Sequence, residues 1–137
     1  MAAIPYALQL FSVRDALTSD PAATLARVKE IGYDHVELAS LAGQSATEFK
    51  RGLDTAGLGC ASCHVEYAAC EEDIAAAIGD CHTLGVSWAV IPWLSKEENP
   101  TTGDWVARAE AMAGFGQAFK DEGITLCYHN HHHEFDA

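Results

Sequence analysis

The stretch ITLCYHNHHHEF, residues 124–135, decides the fold because its apolar run is the last predicted strand of the sequence. This run ends in histidines and a glutamate. Side chains along a strand alternate between two faces, so Cys127, His129 and His131 share a face if the strand continues that far. Histidine titrates near neutral pH and binds metals when neutral. The stretch therefore predicts a buried strand ending in proton-handling or metal-binding groups, with a frayed, solvated terminus carrying tag residues as the alternative.

Four more short apolar runs precede this stretch, each followed by a helical pattern. The predicted strands span residues 6–11, 35–39, 58–65 and 87–91, and the fifth begins at residue 124. The four predicted helices span residues 21–31, 46–56, 71–84 and 104–121, with residues 12–15 and 96–103 as loops. Strict alternation of strands and helices predicts an α/β fold with a parallel sheet.

Capping residues support these helix boundaries. Asp20 and Pro21 suit the start of the first helix, and Ser45 with Glu48 forms a capping box for the second. Three acidic residues at 71–73 favour a helix N-terminus there.

Two parallel architectures fit this element order. A flavodoxin-like doubly wound sheet suits one domain of 137 residues, whereas a (β/α)8 barrel needs about 250 residues. However, a doubly wound sheet normally has a helix after its fifth strand, and the residues up to 137 leave no room for one. Residues 11–15 also contain no glycine for a phosphate-binding loop. Both architectures stay open at this point.

The chain is strongly acidic, with a formal net charge of −12. Such a surface repels nucleic-acid phosphates and anionic membranes, so we expect neither as a partner. We also expect no transmembrane helix, and residues 1–5 show no secretory signal.

Five cysteines in irregular positions do not resemble a secreted disulfide framework. We interpret them as reduced, buried thiols of a cytoplasmic protein. The segment from Cys60 to His64 has the spacing of a c-type haem attachment site, but that chemistry requires export. A zinc site is also disfavoured, because Cys60 and Cys63 are predicted to face opposite sides of a strand.

Four motifs resemble one family, in the family's order and across essentially the whole chain. They are LQLFSVRD at residues 8–15, GYDHVEL at 32–38, residues 56–64, and YHNHHHEF at 128–135. They resemble the sugar phosphate isomerase/epimerase family of the xylose isomerase-like TIM barrel superfamily. The resemblance implies that residues 1–137 are the N-terminal portion of a (β/α)8 barrel, incomplete with about five strands and four helices.

The resemblance also implies a reaction and a cofactor. Such enzymes isomerise or epimerise a sugar, sugar phosphate or polyol derivative by metal-assisted proton transfer next to a carbonyl, and some relatives dehydrate instead. The metal is a divalent cation such as Mn, Mg, Co or Zn. By this resemblance the predicted substrate-binding residues are Gln9, Glu37, His64 and Trp93, the catalytic residues are His129 and His131, and the metal ligands are Glu134 and His131.

Several alternatives remain open for these residues. Glu37 could instead pair with Arg14 or Lys29, and His64 or Trp93 could be ordinary core residues.

The sequence departs from the family in two respects. Cys127 occupies the position of a metal-binding glutamate, and strands six to eight are not in this sequence. We therefore expect incomplete metal coordination, an inactive isolated fragment, and self-association through exposed barrel edges. The alternative function is a non-enzymatic α/β module that binds or sequesters metal through its terminal histidines.

Overall fold

The computed structural model describes residues 6–96 and 101–135, which form one five-stranded sheet. Its strands are β1 (Ala7–Gln9), β2 (His35–Leu38), β3 (Gly59–His64), β4 (Trp88–Ile91) and β5 (Thr125–Tyr128). Each strand pairs in parallel with the next one in the chain. The predictions made for residues 1–5, and for residues 97–100 of the polar loop, lie outside the described residues.

The strand order decides between the two predicted architectures. A flavodoxin-like sheet has the order 2-1-3-4-5, because its chain winds in both directions from a switch point. The order here is β1-β2-β3-β4-β5, which is that of consecutive βα units in a barrel wall. The prediction of TIM-type (β/α) units is therefore confirmed, and the doubly wound alternative is wrong.

Five α-helices accompany the strands, one more than predicted. They are α1 (Arg14–Ser19), α2 (Pro21–Glu30), α3 (Ala46–Ala56), α4 (Tyr67–Leu84) and α5 (Thr102–Asp121), with short 3-10 helices at Leu10–Val13 and His132–Phe135. Among these described helices, none combines the length and hydropathy that a bilayer-crossing segment requires.

The additional helix α1 corrects the prediction of a loop at residues 12–15. β1 ends at Gln9, and the chain then turns through the 3-10 helix into α1. Leu10 and Leu17 are both buried, 0% and 3% exposed, and their seven-residue spacing places them on one helical face. The apolar pair Leu10-Phe11 made the strand look longer than it is.

Helix α4 also begins earlier than predicted. It starts at Tyr67 and contains a kink at Asp73, whose backbone is extended. The Asp73 carboxylate accepts a hydrogen bond from the Ala76 amide at 3.0 Å, so it caps the second segment of the helix. The acidic residues predicted to start the helix therefore start only its second part.

The two faces of the sheet differ in character. Val36, Leu38 and Ala89 are buried against the helices, at 0–2% exposed. Glu37, between the first two, faces the opposite side, which in a barrel is the interior. The sheet therefore separates an apolar core from a polar inner face.

A β-bulge in β3 corrects the prediction that Cys60 and Cys63 face opposite sides. Val36 pairs with Cys60 but Glu37 pairs with Ser62, so one extra residue lies between them. As a result Cys60 and Cys63 both pack against the core on the helical side.

Candidate active site

Glu37 lies at the centre of a polar cluster formed by the first three strands. The Gln9 side-chain amide donates to Oε1 of Glu37 at 2.6 Å, and the Ser62 hydroxyl donates to Oε2 at 2.6 Å. The His64 Nε2 atom lies 3.4 Å from Oε1. Strand register explains the arrangement: Gln9 is opposite Glu37 across β1 and β2, and the bulge brings Ser62 opposite Glu37 from β3.

These contacts keep Glu37 ionised. Burial by itself raises the pKa of this carboxyl, but hydrogen bonds from Gln9 and Ser62, together with the nearby His64, outweigh burial and hold the pKa below its usual value. The predicted alternative partners are engaged elsewhere, since Lys29 bonds to Asp34 at 2.5 Å and Arg14 lies 3.9 Å from Asp15. Glu37 is therefore an anionic acceptor on the inner face.

Two histidines and a tryptophan, which follow β5 and β4, extend this cluster from His64. The His64 and His129 ring centroids are 6.3 Å apart, and the His129 and His131 rings stack at 4.7 Å with an interplanar angle of 2°. Trp93 contacts the His131 ring at 4.5 Å, edge to face. β5 ends at Tyr128, yet the His129 amide still donates to the Ile91 carbonyl at 3.0 Å.

Six of the seven predicted site residues thus form one continuous row at the carboxyl ends of the strands. We call it the strand-end row, and its members are Gln9, Glu37, His64, His129, His131 and Trp93. Barrel enzymes place their active sites at this end of the sheet.

Two nitrogen atoms in the strand-end row have no hydrogen-bond partner within the described residues. They are Nε2 of His64, which lies 3.4 Å from Oε1 of Glu37 but outside hydrogen-bond geometry, and Nδ1 of His131, and both are buried. Buried polar atoms in folded proteins are normally hydrogen-bonded, so an unpartnered one at a strand end is suited to a ligand.

Glu134 anchors the segment after β5. Its carboxylate accepts hydrogen bonds from the Tyr128 hydroxyl and from the His131 backbone amide. Burial, followed by this bond and the negative charge of Glu134, raises the pKa of Tyr128. Residues 125–135 form β5 and a 3-10 helix, and His133 is only 8% exposed, so the alternative of a frayed, solvated terminus is not supported for this segment.

The metal roles predicted for Glu134 and His131 stay predictions. Within residues 6–96 and 101–135, no three His, Cys, Asp or Glu side chains are arranged to hold a metal ion. An ionised carboxylate has about four lone-pair sites, so the two hydrogen bonds to Glu134 leave room for a cation.

Sequence reasoning missed two residues of this site. Ser62 had a usable signal, since it precedes His64 by two positions and therefore shares its strand face. His133 had none: the 3-10 helix turns it inward, where Nε2 lies 3.0 Å from the Leu94 carbonyl and the ring lies 4.4 Å from that of Trp93.

The sequence matches no protein-family model and no curated protein. A solved structure from Parabacteroides distasonis ATCC 8503, a sugar phosphate isomerase/epimerase, matches at 27% identity with a TM-score of 0.80. The match covers 99% of this chain and 54% of that one. The chain is similar to a sugar phosphate isomerase/epimerase. The resemblance predicted from the four motifs is thereby confirmed, over about half the length of the matched protein.

Two more distant structures share the fold alone. A xylose isomerase domain-containing protein from Salmonella typhimurium LT2 matches at 13% identity and a TM-score of 0.62, covering 89% of this chain and 47% of that one. The IolI protein with a bound zinc atom matches at 14% identity and 0.53, covering 91% and 51%. Both matches extend over about half of a longer protein.

Proposed function

We propose that this chain supplies one wall of the active site of a sugar isomerase or epimerase that transfers a proton next to a carbonyl. In this proposal, residues 1–137 correspond to the N-terminal portion of a (β/α)8 barrel. The observation that carries the proposal is the strand-end row, which combines an ionised carboxylate, three imidazoles and an aromatic face on the inner side of a barrel wall. The 27% identity to a sugar phosphate isomerase/epimerase supports it.

Proton transfer is the role we assign to His129 and His131. Imidazole changes its protonation state near neutral pH, so it can remove a proton from carbon and return one. Their rings stack at 4.7 Å, which places two proton-handling groups side by side. The unpartnered Nδ1 of His131 is free to contact a reacting group.

Substrate positioning is the role we assign to the remainder of the row. The Glu37 carboxylate and the Gln9 amide can hydrogen-bond sugar hydroxyls, and Nε2 of His64 offers a further polar contact. Trp93 is 46% exposed and presents an aromatic surface to sugar C–H groups. The substrate class is therefore a small sugar or sugar derivative.

A divalent cation, when bound, would polarise the carbonyl and hydroxyl oxygens of the substrate. We assign Glu134 and His131 as the ligands that this chain contributes, and the unpartnered Nδ1 of His131 fits that role. When that nitrogen holds the cation, proton transfer falls to His129. A complete coordination shell needs ligands beyond these two.

The cellular setting we propose is the cytoplasm. All five cysteines are free thiols, as a reducing compartment favours. The net charge of −12 argues against nucleic acid or an anionic membrane as a partner.

Deuterium exchange tests the proposal directly. The natural gene product is incubated in D2O with Mn²⁺ and a panel of ketoses and ketose phosphates. Deuterium incorporated at the carbon next to the carbonyl is then measured. We expect incorporation with at least one substrate, and a loss of about 100-fold or more in His129→Asn and His131→Asn.

His82→Asn is the matched control, because His82 lies on the exposed side of α4, 3.6 Å from Glu122, and should leave exchange unchanged. Absence of exchange with every substrate, or equal exchange in all three variants, would exclude this function. Metal binding without exchange would instead favour the sequestering module.

A further inference from the structure

We propose that Cys63 and Cys81 are a redox modification site, where a reversible disulfide links β3 to α4. Their Sγ atoms lie 3.5 Å apart. A disulfide bond is about 2.05 Å long, so the sulfurs need to approach by only ~1.5 Å. This inference does not depend on the proposed function.

The pair lies beside a cavity that gives a small oxidant a route to it. Both cysteines are buried, at 2% and 0% exposed, yet both line a partly open cavity of about 240 Å³. The remaining walls are mostly apolar, including Leu38 and Leu84, with Asp80 among the polar groups. A water molecule occupies about 30 Å³ of liquid, so the cavity has room for hydrogen peroxide.

The contact between the sulfurs makes them chemically unequal. Either thiol can donate in the contact between the two sulfurs. Donation by Cys63 favours the thiolate of Cys81 and lowers its pKa, while the same bond and burial raise the pKa of Cys63. The thiolate is the nucleophilic form of cysteine. Cys81 is therefore the attacking residue and Cys63 the resolving one.

The chemistry balances with hydrogen peroxide as the oxidant. The Cys81 sulfur attacks one peroxide oxygen and the O–O bond breaks, leaving a sulfenic acid on Cys81 and a hydroxide that takes up the proton lost by Cys81. The Cys63 sulfur then attacks the Cys81 sulfur, the S–O bond breaks, and the second hydroxide leaves as water with the Cys63 proton. Two thiols lose two electrons, and one peroxide becomes two waters. A thiol reductant reverses the bond by exchange.

The position of Cys63 connects this site to the strand-end row. Cys63 lies between Ser62, which hydrogen-bonds Glu37, and His64 on β3. Pulling its sulfur toward α4 would displace the backbone that carries both neighbours. Oxidation should therefore shift the imidazole NMR signals of His64.

Thiol counting and peptide mapping test the proposal. After treatment of the reduced protein with one equivalent of hydrogen peroxide and then denaturation, titratable thiols should fall from five to three. Cleavage after glutamates such as Glu66 and Glu72 separates Cys63 from Cys81, so the two peptides should be linked by a bond that dithiothreitol breaks.

The matched variants are serine substitutions in the same cluster. Cys63→Ser and Cys81→Ser should abolish the link, whereas Cys60→Ser and Cys70→Ser should retain it. A wild-type link through Cys60 or Cys70, or oxidation to sulfinic acid without any link, would overturn the proposal. Cys60 and Cys63 lie on the same peptide, so tandem mass spectrometry of the linked wild-type peptides assigns the bonded cysteine and decides the question even if a variant fails to fold.

Discussion

At the scale of single residues, Glu37 shows how neighbouring strands set the charge of a side chain. Two hydrogen bonds, from Gln9 and Ser62, reach it from the strands on either side. Burial disfavours the charged carboxylate, and the hydrogen bonds to both of its oxygens, together with the nearby His64, offset that penalty. Its ionisation is therefore a property of the sheet register as much as of the residue.

Replacing Ser62 with alanine tests this relation. The folded-state pKa of Glu37 lies below its unfolded value, so its ionisation stabilises the fold fully above pH ~4.3, and this contribution is lost as the pH falls through the folded-state pKa. Ser62→Ala removes one donor and should lower the free energy of unfolding at pH 7 by about 1.5 kcal/mol. Part of that difference should disappear as the pH is lowered from 5 to 3.

Urea unfolding at a series of pH values measures the effect. Ser87→Ala is the control, because Ser87 is exposed in the turn before β4 and should show no such pH-dependent difference. If Ser62→Ala did not change the free energy of unfolding, or if its effect grew on acidification, Ser62 would not stabilise the ionised form of Glu37.

Strand periodicity was sufficient to predict most of the strand-end row, since Glu37, His64 and His129 each lie at or just after a strand end. It was insufficient for His133, whose inward position depends on a 3-10 turn held by Tyr128 and Glu134. Contacts of this kind form between residues that no simple period relates, so sequence alone could not reveal them.

At the scale of elements, local capping chemistry defines the helices. The Ser45 hydroxyl accepts from the Glu48 amide at 3.3 Å, and the Glu48 carboxylate accepts from the Ser45 amide at 2.9 Å. Gly57 ends the same helix in the left-handed conformation, at φ 69°. The predicted capping box of α3 is thus confirmed.

Ser45→Ala should lower the free energy of unfolding by about 1 kcal/mol, because it leaves an amide at the start of α3 without its side-chain acceptor. Thr47→Ala, at an exposed position two residues later, is the control and should change stability little. Thermal or urea unfolding of the two variants distinguishes them. Equal stability of both would show that the box contributes nothing.

The bulge in β3 illustrates why element-level prediction failed locally. Strict alternation from Cys60 to Cys63 predicts opposite faces, but one inserted residue reverses the outcome. The same insertion turns Ser62 toward Glu37 and brings Cys63 to Cys81. The approach of Cys63 to Cys81 was not accessible from the sequence, because bulges have no strong compositional signature in this segment. The face of Ser62 was accessible only through its two-residue spacing from His64.

At the scale of the whole molecule, the described residues form five consecutive strands of a fold that closes with eight. The outer edges of β1 and β5 are unpaired within the described part of the chain. Closed barrels remove such edges, and open edges favour pairing with another chain.

We therefore expect the isolated 137-residue polypeptide to self-associate and to show little or no turnover of ketoses with Mn²⁺. Sedimentation velocity over a range of concentrations measures self-association, and the deuterium-exchange assay measures turnover. Thr125→Lys, on the edge strand β5, should weaken association, whereas Thr55→Lys, on the exposed surface of α3, should not. A monomer with robust turnover would contradict this prediction.

The consecutive strand order has a consequence for how the chain folds. Each described strand pairs with its neighbour in sequence, as Leu8 does with Val36, so no pair among these five strands has to wait for a distant segment. Loop-closure entropy grows with the length of chain between partners, and short separations favour rapid folding. Each βα unit can therefore dock onto the preceding one while the ribosome is still synthesising the next, and assembly proceeds in the direction of translation.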